Sequence, residues 1–104
     1  MFDLIIIGGG PAGIAAGIYG ARKHLKAVLI TEEFGGQSSV SEGIENWIGV
    51  PKVGGAELAK LLKAHLDAVK GDLITLAAGE RVVSLKSVGG ETAKLLGGFI
   101  ASGF

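Results

Sequence analysis

The chain contains no cysteine, only two prolines, and equal numbers of basic and acidic residues, ten of each. Without cysteine there is no disulfide framework, no thiolate metal site and no redox-active thiol pair within these 104 residues. A formal charge of zero, with both signs spread along the chain, leaves no basic patch for nucleic acid or anionic lipid. Histidine is scarce too. His24 and His65 are far apart and have no carboxylate or histidine at metal-ligand spacing, so they read as structural or solvated. His24 follows Arg22-Lys23, where the end of a helix favours positive charge.

The length allows one modest domain. The uncharged stretch Leu4–Ala21, 18 residues, is long enough to suggest a membrane span. Three consecutive glycines and Pro11 in its middle argue against that, and Asp3 in front is unlike the basic start of a secretory leader. The expectation is a cytoplasmic protein with no membrane and no nucleic-acid partner.

Glycine is what the chain has in excess: 19 residues, about 18% against an average near 7%. The most informative run is Asp3-Leu4-Ile5-Ile6-Ile7-Gly8-Gly9-Gly10-Pro11-Ala12-Gly13. A β-branched strand over Phe2–Ile7 breaks into glycines and resumes as a small-residue helix over Pro11–Lys23, with Pro11 in the first turn where its missing N–H is harmless. Gly8-x-Gly10-x-x-Gly13 has the spacing that seats a dinucleotide pyrophosphate on a helix N-terminus. Gly8 makes the tight turn, Gly10 leaves room for phosphate, and Gly13 lets the helix lie close to the strand. A second apolar strand, Ala27–Ile30, ends at Thr31-Glu32-Glu33. Glu32 stands 19 residues after Gly13, near the usual place of an acid that accepts hydrogen bonds from a ribose. Together these features make dinucleotide binding the leading reading.

Downstream, a Gly-, Ser- and Glu-rich loop over Glu33–Val53 has the length of a functional loop. A helix follows over Ala56–Val69, with Leu58, Leu61, Leu62, Leu66 and Val69 on one face and His65 at its border. Leu73–Leu76 and Arg81–Lys86 are candidate strands, Gly89-Gly90-Glu91 a turn, and Leu95–Ser102 finishes with an apolar segment, Phe99-Ile100-Ala101, that would be a last strand. Gly97-Gly98 has no functional explanation in this pattern. The alternation predicts an α/β fold, a doubly wound Rossmann-like parallel sheet.

With the loop included, the chain is similar to the low-molecular-weight thioredoxin reductases and the related flavoprotein subunit of alkyl hydroperoxide reductase. The residues that carry the resemblance are the glycine run, Thr31-Glu32-Glu33-Phe34-Gly35-Gly36-Gln37, Gly43-Ile44-Glu45-Asn46-Trp47-Ile48-Gly49-Val50-Pro51-Lys52, Glu57-Leu58-Ala59 and Phe99-Ile100-Ala101-Ser102-Gly103. It is close from Met1 to Val69 and looser beyond. The resemblance implies FAD as cofactor and NADPH or NADH as electron donor. Gly8, Gly10, Pro11, Ala12 and Gly13 would hold the pyrophosphate, and Thr31 and Glu32 would lie near the adenosine ribose. Gly36 and Gln37 would approach the ribityl chain and flavin ring, Asn46 the isoalloxazine edge, and the Val82 backbone the adenine. Gln37 and Asn46 offer amides, which can both donate to and accept from a flavin ring; they also fit ordinary loop residues. Trp47 fits a core aromatic as well as a flavin neighbour.

The departures define what the chain would be. Ile48 stands where thioredoxin reductases commonly have proline, and Ser102 replaces threonine. The usual hairpin before the last strand is shortened. The family also carries a nicotinamide-binding domain, a cysteine pair and a returning segment that completes the FAD site, none of which matches this chain. Residues 1–104 are therefore expected to be the N-terminal portion of a FAD-binding domain with no catalytic residue of its own. In the parent protein a homodimer would pass electrons to a thioredoxin-like or peroxiredoxin-system disulfide protein. The alternatives are a thioredoxin-reductase-like ferredoxin–NADP reductase, a stand-alone dinucleotide module without turnover, or a non-redox domain whose glycine motif is vestigial. Glu45-Asn46-Trp47 favours the disulfide-reductase branch.

Overall fold

The computed structural model describes residues 1–35, 42–84 and 99–102. The element order is β1 (Leu4–Gly9), α1 (Pro11–Arg22), β2 (Ala27–Phe34), α2 (Gly55–Lys70), β3 (Ile74–Ala78) and β4 (Phe99–Ser102). The sheet runs β3-β2-β1-β4 and every neighbouring pair is parallel. Strand order steps one way from β1 to β3 and reverses to place β4 on the other side of β1. That reversal is the signature of a doubly wound sheet, and it puts the switch point between β1 and β4.

Each element follows from its residues. In β1, Leu4 and Ile6 are buried while Ile5 and Ile7 are half-buried; in β2, Ala27 and Leu29 are buried while Val28 and Ile30 are half-buried. The period of two turns one face of the sheet towards the helices. Leu4, Ile6, Ala27, Leu29 and Ile74 form the core with Ile14, Ile18 and Ala21 of α1 and Leu66 of α2. Helix α1 packs closely because it presents glycine where it meets neighbours. A Cβ on Gly17 would stand 3.1 Å from Leu66 Cδ1, and one on Gly20 would stand 3.0 Å from Leu4 Cδ2.

Three expectations are corrected. Leu61 does not join the buried face of α2: it is 57% exposed, whereas Leu58 and Leu66 are buried and Leu62 and Val69 pack against the core. A helix rotates about 100° per residue, so Leu61 lies a full step off the stripe that Leu62 occupies. Nor is there a strand at Arg81; residues 81–84 have no regular structure, and Lys86 lies outside the described residues. Gly79, at φ +79°, turns the chain out of β3, and its N–H and that of Glu80 bond to the Glu32 and Thr31 carbonyls instead. The Gly89-Gly90-Glu91 turn and Gly97-Gly98 also lie outside the described residues. The long loop is shorter than expected, since β2 runs on to Phe34 and a two-hydrogen-bond antiparallel bridge joins Ile44 to Val53. Among the described residues no helix is long and apolar enough to cross a membrane.

Helix α1 ends in paired backbone bonds from His24 N–H to the Ala21 carbonyl and from Leu25 N–H to the Gly20 carbonyl, both 2.9 Å. This closure needs a left-handed residue just past the helix, and His24 takes it at φ +59°. Glycine has no Cβ to strain there, so His24→Gly is expected to stabilise the chain by about 0.5–1 kcal/mol. The guanidinium unfolding midpoint measures it; an unchanged or lower midpoint contradicts the assignment.

Candidate functional site

The C-terminal end of β1 turns into α1 through the three glycines. Gly8 sits at φ +100°, a conformation L side chains rarely adopt. A Cβ on Gly13 would stand 1.9 Å from the Gly8 carbonyl oxygen, so α1 is seated directly on the turn. Gly10, at φ −79° and ψ −174°, is in extended backbone that any residue can adopt. The first turn of α1 has no side-chain cap and no acidic residue. Pro11 has no N–H, and Ile14 N–H bonds to the Gly10 carbonyl at 3.0 Å. The N–H groups of Ala12 and Gly13 have no partner within the helix, at its positive dipole end. The arrangement suits an anion.

Beside the turn, the parallel register slips. Ile7 pairs with Ile30, but Gly9 pairs with Phe34, so four steps along β2 answer two along β1. The surplus arches out as Thr31-Glu32-Glu33. Thr31 is buried; its Oγ1 accepts the Gly9 N–H at 3.0 Å and donates to the Glu33 carbonyl at 2.6 Å. Gly35 N–H then bonds to the Gly9 carbonyl at 2.8 Å. Glu32 points into solvent, with Arg81 Nε 3.9 Å from its Oε1. Both side chains are mostly exposed, so the pair contributes about 0–1 kcal/mol. Val82, half-buried, follows directly.

The structure thus gathers Gly8, Gly10, Pro11, Ala12, Gly13, Thr31 and Glu32 at the carboxyl ends of β1 and β2, next to the switch point, with Val82 beyond β3. Gly36 and Gln37 lie outside the described residues. Asn46 is exposed on the loop that the Ile44–Val53 bridge closes. Its neighbour Trp47 is half-buried and shares a groove of about 410 Å³ with Pro11, Ile14, Ile18 and Leu62. That groove links the loop to the first turn of α1.

Gly9 and Phe34 were missed by the motif spacing. A Cβ on Gly9 would stand 2.9 Å from Phe34 Cδ1 and 3.0 Å from Thr31 Oγ1. Phe34 is in turn covered by Lys63 of α2, whose Nζ lies 4.9 Å from the ring centroid. The one available signal was the third glycine itself, which the alternate-glycine pattern does not require. Among the described residues no group of three or more His, Asp or Glu could hold a metal ion.

Comparison with known proteins fits this geometry. The family profile described as "Pyridine nucleotide-disulphide oxidoreductase" matches residues 2–104. The chain is 43% identical over 89 residues to the F subunit of alkyl hydroperoxide reductase from Escherichia coli (strain K12), covering 86% of this chain and 17% of that protein. The crystal structure of the thioredoxin reductase from Streptococcus pyogenes MGAS5005 superposes with a TM-score of 0.75 at 33% identity, over 86% of this chain and 28% of that one. The thioredoxin reductase of T. acidophilum gives a TM-score of 0.73 at 31% identity, over 84% and 28%. The chain therefore spans less than a third of each of these proteins, always within the same fold. It belongs to the pyridine nucleotide-disulphide oxidoreductase family.

Proposed function

We propose that this chain is the N-terminal part of the FAD-binding domain of an NAD(P)H-dependent flavin disulfide reductase of the thioredoxin reductase type. The observation that carries the reading is the uncapped, acid-free first turn of α1 seated on Gly8, with the Glu32 carboxylate at the end of the adjacent strand. The residues fit the group. The N–H groups of Ala12 and Gly13 would hold the pyrophosphate, Gly8 and Gly10 would keep side chains out of its way, and Pro11 stiffens the turn. Glu32 would accept from the ribose hydroxyls, and the Val82 backbone would serve the adenine. By the resemblance, Gly36 and Gln37, which lie outside the described residues, would serve the ribityl chain and flavin ring, and Asn46 the isoalloxazine edge.

FAD, when bound, supplies the two-electron chemistry between NAD(P)H and a disulfide. This chain's residues bind and orient it, and none of them is placed as a nucleophile or general acid. The physiological acceptor is a thioredoxin-like or peroxiredoxin-system disulfide protein, and the complete protein is a cytoplasmic homodimer. Similarity to both thioredoxin reductases and the F subunit of alkyl hydroperoxide reductase supports the choice of acceptor.

Equilibrium binding of FAD and NAD(H) to the complete protein tests the reading. FAD is expected to bind tighter at this site, and the reverse order overturns it. Two glycine variants separate ligand space from fold. Gly10→Val, tolerated by an extended backbone, is expected to lose flavin while keeping its circular dichroism spectrum. Gly13→Ala, with a Cβ forced against the Gly8 oxygen, is expected to destabilise by about 1–3 kcal/mol or more. Full flavin content in Gly10→Val would contradict the placement of the pyrophosphate. With no cysteine to carry electrons, the 104-residue chain alone is expected to show no NADPH-dependent disulfide reduction and little flavin retention. Turnover above background would overturn that expectation.

A further inference from the structure

We propose that Thr31 is a positioning residue of the dinucleotide site: its hydroxyl pins the glycine turn to the arch in β2 and so sets where Glu32 stands relative to the pyrophosphate turn. The inference rests on the FAD reading above. Thr31 is 6% exposed, and its hydroxyl is occupied by the protein on both sides. Oγ1 accepts from Gly9 N–H, across 22 residues of sequence, and donates its proton to the Glu33 carbonyl. No proton is left for a ribose oxygen, so Thr31 acts through Gly9 and Glu32 rather than by donating to the ligand.

The pin is needed because the arch breaks the ladder. Between the Ile7–Ile30 and Gly9–Phe34 pairs, β1 and β2 lose their regular register. Without the hydroxyl, the Gly9 N–H and the Glu33 carbonyl both lose a partner, in surroundings partly closed to water. On its other edge the arch is tied by Gly79 N–H to the Glu32 carbonyl at 3.2 Å and by Glu80 N–H to the Thr31 carbonyl at 3.1 Å. These bonds hold the arch to the chain beyond β3. The Thr31 side chain ties it to the turn.

The test compares wild type, Thr31→Val and Thr31→Ser in the complete protein, reading FAD affinity, unfolding midpoint and hydrogen exchange at the Gly9 amide. Valine keeps the shape and removes the hydroxyl. It is expected to weaken FAD binding about tenfold or more and to speed Gly9 exchange, and serine is expected to restore most of both. A valine variant with a lower midpoint but wild-type FAD affinity shows a purely structural residue and overturns the proposal. Weakened FAD binding with unchanged Gly9 exchange shows a direct ligand contact and also overturns it. If the valine variant does not fold, Thr31→Ala, which also lacks the hydroxyl, is read in its place and by the same outcomes. A wild type that takes up no FAD removes the functional reading and this inference together. Normal wild-type binding matched by the valine variant removes this inference alone.

Discussion

Helix α1 rests on the carbonyl of Gly8, and much of the fold is arranged so that it can. The approach leaves no room for a Cβ at Gly13, and the same face of the helix repeats the device at Gly17 against Leu66 and at Gly20 against Leu4. Spacings of four and three residues put these glycines on one side of α1. Each glycine in a helix interior costs about 1 kcal/mol relative to alanine. Close contact with the sheet and with α2 offsets that, because dispersion rises steeply as surfaces meet. Ile14, Ile18 and Ala21 are thereby carried onto Leu4, Ile6 and Leu29 in one core.

The consequence for the site is a fixed spatial relation between a helix terminus and a strand end. Because α1 cannot slide away from the turn, the N–H groups of Ala12 and Gly13 stay at the carboxyl edge of the sheet. Because β2 arches at Thr31-Glu32-Glu33, an acidic side chain is held at the same edge instead of alternating into the sheet. Phe34, packed on Gly9 and capped by Lys63, joins α2 to this arrangement. Lys63 also pairs with Asp67 at 2.7 Å, an exposed contact one helical turn along that contributes only a few tenths of a kcal/mol. What steadies the site is the packed and hydrogen-bonded backbone; the surface charges add little.

Much of this was legible from residues in order. The β1-turn-α1 boundary follows from Ile7, the three glycines and Pro11, and α1 ends within one residue of the expected place. The end of α2 differs by a single residue because Leu58, Leu62, Leu66 and Val69 mark its period clearly. Leu61 was misplaced because five apolar positions define a broad stripe, and only the packed core shows which edge is covered. The strand expected at Arg81 rests on a β-branched pair, Val82-Val83, yet Val83 is 88% exposed. The backbone just before it, at Gly79 and Glu80, is already bonded to the arch in β2.

The sequence by itself determined β1, α1, β2, α2 and β3, the parallel pairing of β1 with β2 and the glycine turn between β1 and α1, since each is written in a pattern of residues close along the chain. Periodicity, turn glycines and a proline at a helix start leave a local trace that can be read without a fold. Only the tertiary structure decided the register slip between β1 and β2, the double engagement of Thr31 and the need for a glycine at position 9. These depend on a hydrogen bond and a side-chain contact between residues more than twenty positions apart. A long-range pairing of that kind has no period, and it exists only once the sheet has brought the two strand ends together.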